Sequence, residues 1–309
     1  PVLSRNMAID NCLVIAQGKG GVGKTTLTAN LAGLAAAQAG LRVLVIDLDQ
    51  QANLRRNFGT PEEDGSRLFG SLTSGLPLPI ITDVRPNLDL VPGGPVIADL
   101  AAVALSRAHR GGGGLEDDIT RALRPVVGNY DVILIDTPPG ERLVVEAAMK
   151  SARFVLIPTE IDDASLDGLA LTATRFAAAR QTNPDLTLLG VALFRVEARA
   201  THIEHETRGI IADMLGQAAP VFTSRIRHQA AAARDSRRLG LLVHELEQHA
   251  IAAQRQRLAS LRKTGSGDTI DLRTSATSAR GLADDYWALT QEVLTAIAQE
   301  LGIYAGEPV

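Results

Sequence analysis

Cysteine and aromatic residues are scarce in this chain. It contains one cysteine, Cys12, and only 3% of its 309 residues are aromatic. A single thiol excludes a disulfide framework, and it also excludes a multi-thiolate metal or iron–sulfur site within one chain. Few aromatic side chains argue against a protein that reads RNA bases by stacking.

Long apolar runs and an excess of one charge are also missing. No run reaches the roughly 20 apolar residues that a membrane-spanning helix needs. The first eleven residues have neither a basic region nor a long apolar region, so we expect no export signal and a cytoplasmic protein. The formal net charge of −4 predicts by itself no affinity for nucleic acid. The hydrophobic share of 45% is enough for a packed core, which excludes a disordered chain.

Short apolar runs alternate with helical segments along most of the chain. These runs cover residues 13–16, 42–46, 88–91, 132–135, 154–157 and 188–193. Continuous apolar strands separated by helices are typical of a parallel sheet that is covered on both faces. The sequence therefore predicts an α/β fold, a doubly wound and mostly parallel sheet, as a single domain over residues 1–309.

Two segments near the C-terminus are expected to differ from this pattern. Residues 264–281 are rich in Ser, Thr and Gly, which predicts a flexible loop. Residues 282–303 are predicted to form a helix with an apolar face. That face consists of Tyr286, Leu289, Val293, Ile297 and Leu301. Because its other positions include acidic residues but no Lys or Arg, the helix should dock on the protein's own core and not on anionic lipid.

Residues 18–25 match the phosphate-loop pattern G-x-x-x-x-G-K-[ST]. The glycines let backbone N–H groups point at phosphate oxygens, and the helix that begins near Lys24 adds its positive end. Lys24 would reach the β- and γ-phosphates of ATP, and the Thr25 hydroxyl would ligate Mg²⁺. The predicted nucleotide-binding residues are Gly20, Gly21, Val22, Gly23, Lys24, Thr25 and Thr26.

Three aspartates follow apolar strands and can complete this site. Asp47 and Asp49 end the run at 42–46, and Asp136 ends the run at 132–135. A carboxylate at the C-terminal end of a strand beside a phosphate loop can hold Mg²⁺ through water. One of Asp47 and Asp49 can approach the metal while the other approaches the attacking water.

Lys19 is a second lysine that the phosphate-loop pattern does not require. It adds positive charge where the transferred phosphoryl group becomes charged, which assists phosphoryl transfer. The residues alone leave open whether Lys19 serves its own nucleotide or that of a neighbouring chain.

Several segments together resemble the ParA family of partition ATPases, which have a deviant Walker A loop and belong to the MinD/ParA superfamily of P-loop ATPases. The main ones are residues 19–26, 42–49 and 130–140, and the match extends through 157–160, 165–169 and 221–240. The resemblance departs from the family at Gln50, where a proline is usual, and over residues 244–284. The role of that insertion is left open.

The resemblance implies a role for each residue of the site. Lys19 would reach across an ATP-sandwiched homodimer to the partner's nucleotide, and Asp49 would orient the hydrolytic water. Lys19, Lys24 and Asp49 are therefore the predicted catalytic residues. Asp47 would support the Mg²⁺ site and Asp136 would be its second carboxylate, so the predicted metal-site residues are Thr25, Asp47 and Asp136.

Basic charge is concentrated in the C-terminal third, where residues 195–263 contain 12 Lys and Arg against 7 Asp and Glu. Five arginines fall within fourteen residues: Arg225, Arg227, Arg234, Arg237 and Arg238. Clustered arginines bind phosphates through a sequence-independent, salt-sensitive attraction, although a charge run also forms ordinary solvated helix faces. The resemblance implies that these arginines bind non-specific DNA in the ATP dimer.

The sequence thus predicts a Mg²⁺-dependent ATPase for plasmid or chromosome partitioning. It would dimerise with ATP, associate with the nucleoid, and hydrolyse ATP when a ParB-type centromere-binding protein stimulates it. One alternative is a ParA-like ATPase that positions another cargo. Another is a MinD-type membrane-associated ATPase, which the acidic last helix opposes. A metabolic enzyme on the same fold would leave the arginine cluster unexplained.

Overall fold

A computed structural model describes residues 8–197, 200–216, 219–261 and 273–303, with the backbone alone described for 253–261 and 273–280. The strands in these residues form one eight-stranded sheet. They are β1 (Ile9–Ile15), β2 (Val43–Asp47), β3 (Ile81–Arg85), β4 (Leu88–Val91), β5 (Val132–Asp136), β6 (Ala152–Thr159), β7 (Thr187–Val196) and β8 (Val221–Arg227). Their order across the sheet is β3-β4-β2-β5-β1-β6-β7-β8.

The sheet is parallel except at one edge. Strand β3 runs antiparallel to β4, and the other neighbouring pairs are parallel. This confirms the α/β fold with a mostly parallel sheet. Because β1 lies centrally, between β5 and β6, the segment that follows it lies at the middle of the carboxyl edge.

Helices cover both faces of the sheet. In the described residues they are α1 (Lys24–Ala37), α2 (Leu54–Phe58), α3 (Ser66–Ser74), α4 (Leu100–Ala108), α5 (Leu115–Leu123), α6 (Arg142–Ser151), α7 (Asp163–Arg180), α8 (Thr201–Leu215), α9 (Ala230–Leu239), α10 (Val243–Leu261) and α11 (Arg273–Glu300). Successive side chains of β1 point to opposite faces of the sheet and so contact the two helical layers in turn. Cys12 and Val14 pack in a cluster with α3 to α8, whereas Leu13 and Ile15 pack in a cluster with α1, α2 and α9 to α11.

The C-terminal region differs from the expected loop. Residues 264–272 lie outside the described residues, but residues 273–281 are helical because α11 begins at Arg273. Residues 273–280 contain neither Gly nor Pro, so nothing in that stretch interrupts a helix. Tyr286, Leu289 and Val293 of α11 are buried in the core, and α10 packs against α11. Most of the described insertion is therefore helical.

None of the described helices has both the length and the apolar composition of a membrane-crossing segment.

Candidate functional site

The phosphate-loop sequence connects β1 to α1 at the carboxyl edge of the sheet. Gly21 and Gly23 have left-handed backbones, with φ of +82° and +88°, which favour glycine. Gly23 caps α1, and a Cβ atom at this position would lie 2.2 Å from Cε1 of Phe194. A larger residue would therefore displace the loop from the first turn of α1, where free N–H groups can bind an anion.

The loop forms one wall of a cavity of about 500 Å³. Five of the seven predicted nucleotide-binding residues line it: Gly21, Gly23, Lys24, Thr25 and Thr26. The other two belong to the same loop, where Val22 is buried under it and Gly20 is exposed. Asp49 lines the same cavity. The cavity therefore brings a phosphate-binding loop and a carboxylate to one space.

Gln17 anchors the start of the loop, which sequence reasoning missed. Its side-chain Nε2 donates hydrogen bonds to the carbonyl oxygens of Pro158, at 3.1 Å, and Ser165, at 3.3 Å. The backbone N–H of Gly18 donates to Thr172 Oγ1 at 3.0 Å. The sequence does place a polar residue directly after an apolar run, and a polar residue that is buried there needs hydrogen-bond partners.

Lys24 lies inside the loop with only 6% of its surface exposed. Its Nζ atom donates a long hydrogen bond, 3.4 Å, to the carbonyl oxygen of Lys19. Burial lowers the pKa of Lys24, and the nearby Asp136 and Asp49 carboxylates work against that shift. The amine thus points back onto the loop. A bound phosphate would be a stronger hydrogen-bond partner for it than the carbonyl oxygen of Lys19.

Asp136 provides the best observation for a metal. It ends β5 next to Asp47 of β2, and Oδ1 accepts a hydrogen bond from Thr28 Oγ1 at 3.2 Å. Its Oδ2 atom is buried and has no hydrogen-bond partner among the residues that the structure describes. Burial raises the pKa of Asp136 to about 7, and the nearby Thr25 hydroxyl opposes this shift.

The residues around that orphaned oxygen fit Mg²⁺. Thr25 and Asp136 offer hydroxyl and carboxylate oxygens, the hard ligands that Mg²⁺ prefers. Within the described ranges, no group of three or more His, Cys, Asp or Glu side chains is arranged to hold a metal. Mg²⁺ is usually bound by one or two protein ligands together with phosphates and waters, so two oxygens beside a phosphate loop are enough.

Asp47 and Asp49 shape the turn between β2 and α2. Asp47 accepts hydrogen bonds from the backbone N–H of Asp49, at 3.0 Å, and of Leu54, at 3.2 Å. Burial, with Asp136 nearby, raises the pKa of Asp47. Asp49 accepts from the N–H of Gln51 at 2.9 Å, which closes the turn at Gln50 without a proline. Asp47 can therefore support the site by holding the loop, while Asp49 faces the cavity.

Lys19 is held within its own chain. Its Nζ atom lies 2.8 and 2.9 Å from the two carboxylate oxygens of Asp162 and 3.0 Å from Ser165 Oγ. Asp162 is also the N-cap of α7 and accepts from the Ser165 N–H at 2.9 Å. Burial acts to raise the pKa of Asp162, but the hydrogen bonds from Lys19 and Ser165 outweigh it and hold that pKa below its ordinary value. Sequence reasoning missed this partner.

The five predicted DNA-binding arginines lie on two elements of the fold, β8 and α9. Arg225 and Arg227 lie on β8, an edge strand of the sheet. Arg225 forms an ion pair with Glu204 of α8. Arg227 donates from Nε and Nη2 to the two oxygens of Asp285 of α11, both at 2.7 Å. The two β8 arginines are therefore tied to neighbouring helices.

The other three belong to the nucleotide cavity. Arg234, Arg237 and Arg238, called the α9 arginines below, are exposed and line the cavity that contains the phosphate loop. Arg56 and Arg195 line it as well. The five arginines are thus divided between β8 and α9, although Arg227 and Arg237 also line one smaller cavity together.

A family model described as an AAA domain matches residues 10–188. The chain is 32% identical to the chromosome partitioning protein ParA of Myxococcus xanthus over 65% of its own length and 71% of that protein. It is 33% identical to the sporulation initiation inhibitor protein Soj of Bacillus subtilis over 60% and 73% of the two chains. It spans only 58% of two uncharacterized Mycobacterium tuberculosis proteins to which it is 35% identical.

Among solved structures, an ATP complex of a Cyanothece McdA variant shares the fold, with a TM-score of 0.65, 19% identity and coverage of 98% of this chain and 99% of that one. A cobyrinic acid a,c-diamide synthase of Mycobacterium smegmatis with ADP and magnesium has a TM-score of 0.62 and 27% identity, over 74% and 92%.

The sheet, the loop after its central strand and the strand-end carboxylates define the fold and site of the P-loop nucleotide-binding class. Within that class, the matching model and relatives show that the chain belongs to the ParA family of partition ATPases.

Proposed function

We propose that this protein is a nucleotide switch that hydrolyses ATP with Mg²⁺ and acts in partitioning plasmid or chromosomal DNA. The observation that carries the proposal is the buried Oδ2 of Asp136, which lies beside the phosphate loop and has no hydrogen-bond partner within the described ranges. Thr25 and Asp136 would hold Mg²⁺, which would neutralise charge on the phosphates. Lys24 would bind the β- and γ-phosphates, and Asp49 would orient the attacking water within the same cavity.

The switch would require a second copy. Lys19 is bound to Asp162 in its own chain, so its amine is unavailable to a nucleotide in this state. In an ATP-bound homodimer Lys19 would leave Asp162 and reach the partner's nucleotide, as the resemblance to the family implies. Both partners of the pair are partly exposed, so breaking it costs about 1 kcal/mol or less. That is small enough for a bound triphosphate to outweigh.

The dimer would bind DNA without sequence preference through the β8 arginines. Arg225 and Arg227 keep side-chain exposures of 38% and 45% despite their ion pairs. Arginines on an edge strand also discourage pairing with another sheet edge, so their charge by itself does not demonstrate DNA binding. Release from DNA would follow hydrolysis stimulated by a ParB-type partner, and the cargo could also be one other than a replicon.

The experiment that tests the proposal is retention on random-sequence duplex DNA with ATP, with ADP and without nucleotide, over a range of salt concentrations. We expect retention with ATP alone, with an affinity that falls as salt rises. Asp49→Ala should bind ATP and remain on DNA, because it holds the nucleotide but turns it over at least 100-fold more slowly. Equal retention in all three nucleotide states would contradict a switch, and normal turnover in the variant would remove Asp49 from the mechanism.

A matched pair of variants isolates the DNA contact. Arg227→Ala and Asp285→Ala remove the same ion pair, but only the first removes the positive charge. If Arg227 contacts DNA, Arg227→Ala should weaken retention, while Asp285→Ala should bind as well as the unaltered protein. If both variants lose retention equally, the pair stabilises the fold and the DNA site lies elsewhere.

A further inference from the structure

Two charged helix faces of opposite sign flank the phosphate loop. On one side are the α9 arginines, which line the nucleotide cavity. On the other side α7 begins, where Asp163 and Asp167 are exposed. Asp167 directly precedes Gly168, and Gly168 packs closely against Gln17 and Lys19 of the loop. Asp163 and Asp167 are called the α7 acids below.

Neither face is neutralised within the chain. In the described part of the molecule, Arg234 and Arg237 have no ion-pair partner, and Arg238 has only a 3.7 Å contact with Asp235. The α7 acids likewise lack an ion-pair partner among the described residues. Like charges three or four positions apart repel one another on a helix. Both faces would therefore gain from a partner of opposite charge.

The two faces lie on opposite sides of the sheet. Ala232 of α9 packs in the cluster that contains α1, whereas Leu169 of α7 packs in the other cluster. A two-fold axis can lie in the plane of the sheet, perpendicular to the strands. Rotation about this axis places the carboxyl edge of one copy against that of the other, and it also exchanges the two faces of the sheet. The α9 side of each copy then meets the α7 side of the other, as an isologous interface requires.

We infer that a second copy of this chain is the partner of both faces, with the α9 arginines of each copy on the α7 acids of the other. The inference rests on the ATP-dependent dimer proposed above and specifies which surfaces meet in it. Opposite charges at two symmetric places favour one orientation and speed encounter. The α9 arginines therefore belong to the dimer, and the DNA contacts are left to the β8 arginines.

Two charge-reversed forms of the full chain test this charge pairing. One carries Arg234→Glu and Arg237→Glu, and the other carries Asp163→Lys and Asp167→Lys. In a homodimer of either form, like charges meet at both places. In a mixed dimer, opposite charges meet at both places. We expect sedimentation with Mg²⁺ and a non-hydrolysable ATP analogue to show homodimers weakened at least tenfold, and an equimolar mixture that dimerises within about threefold of the unaltered chain.

Three controls accompany these forms. Arg110→Glu with Arg180→Glu makes the same charge change at exposed arginines outside the cavity, and it should dimerise normally. Asp163→Asn with Asp167→Asn removes charge without placing lysine at a helix start, which guards against a folding defect. Calorimetry with the ATP analogue measures nucleotide binding by each form separately.

Each remaining outcome overturns the inference in a distinguishable way. Normal homodimers of both reversed forms would show that the two faces do not meet. If the arginine-reversed form dimerises but loses DNA, its partner is DNA. If that form no longer binds the analogue, the arginines serve their own nucleotide. If both forms bind the analogue but their mixture stays monomeric, charge pairing is excluded. A monomeric unaltered chain with bound analogue would instead refute the proposed switch itself.

Discussion

Lys19 and Lys24 occupy one loop, but their surroundings prepare them for different tasks. Lys24 is buried, and the hydrogen bond that its amine makes within the described residues is a long one, 3.4 Å, to a backbone carbonyl. Lys19 is partly exposed and bound to a carboxylate. A buried amine without a strong acceptor is available to a phosphate that enters the loop. An exposed amine in an ion pair must first leave its partner, which makes it suitable for a conditional contact.

Replacing Asp162 tests that difference. Asp162→Asn keeps a side-chain oxygen to cap α7 but removes the charge that holds Lys19. Because an exposed ion pair contributes at most about 1 kcal/mol and the symmetric dimer breaks two of them, ATP-dependent dimerisation should tighten by up to about 30-fold. Sedimentation with a non-hydrolysable ATP analogue measures the change.

Asp162→Ala is the informative companion variant, because it removes both the cap and the charge. It should lose about 1 kcal/mol of stability to unfolding, whereas Asp162→Asn should lose little. Combining Asp162→Asn with Lys19→Ala should abolish the gain in dimerisation. If Asp162→Asn weakens the dimer, the pair does not restrain Lys19.

At the scale of elements, the apolar strands were predictable and the edge strands were not. The run at 132–135 became β5 almost unchanged, because a strand buried on both faces is continuously apolar. Strands β3 and β8 were not recognised as strands, since both lie at sheet edges and include exposed positions. Their exposed and half-buried positions carry polar residues, so their composition resembles that of a loop.

The same limit explains why the site was predicted only in part. The loop and the strand-end aspartates follow a local pattern with a fixed spacing, so they could be located. The partners of Lys19 and Arg227 lie 143 and 58 residues away. No local sequence pattern indicates ion pairs over such distances, so the sequence could not show that Arg227 is held by Asp285.

Helix α10 contains a histidine that should make stability depend on pH. His244 is 8% exposed, and its Nδ1 atom has no hydrogen-bond partner among the described residues. Burial lowers the pKa of His244, and Arg85 adds to this while Glu245 opposes it. The unfolded chain therefore binds a proton more readily than the folded one below about pH 6.5. Stability from this group is present above that pH and is lost as the pH falls.

His244→Gln should flatten this dependence. Between pH 7.5 and 5.5 the unaltered protein should lose about 1 kcal/mol more of its free energy of unfolding than the variant does. Urea denaturation at both pH values measures the difference. His249→Gln, at an exposed position of the same helix, should keep the full dependence. Identical behaviour of the two variants would show that His244 does not cause it.

For the whole molecule, the phosphate loop connects both layers of the fold. Gln17 and Gly18 tie the loop to β6 and α7. On the other face, Gly23 packs against Phe194, whose ring meets Tyr286 of α11 edge-on with 6.2 Å between centroids. A ligand that orders this loop therefore acts on contacts that hold both layers to the sheet.

Nucleotide binding should consequently stabilise the whole domain in one step. A ligand at 100 times its dissociation constant adds about 2.7 kcal/mol to the free energy of unfolding, which for a chain of this size raises the melting temperature by about 5 °C. We expect calorimetry with Mg²⁺ and a non-hydrolysable ATP analogue to show one transition moved by that amount. Lys24→Ala should show no shift at the same concentration, because the phosphates lose their buried amine. A shift confined to one of two separate transitions would mean that the loop stabilises only one layer, despite its contacts with both.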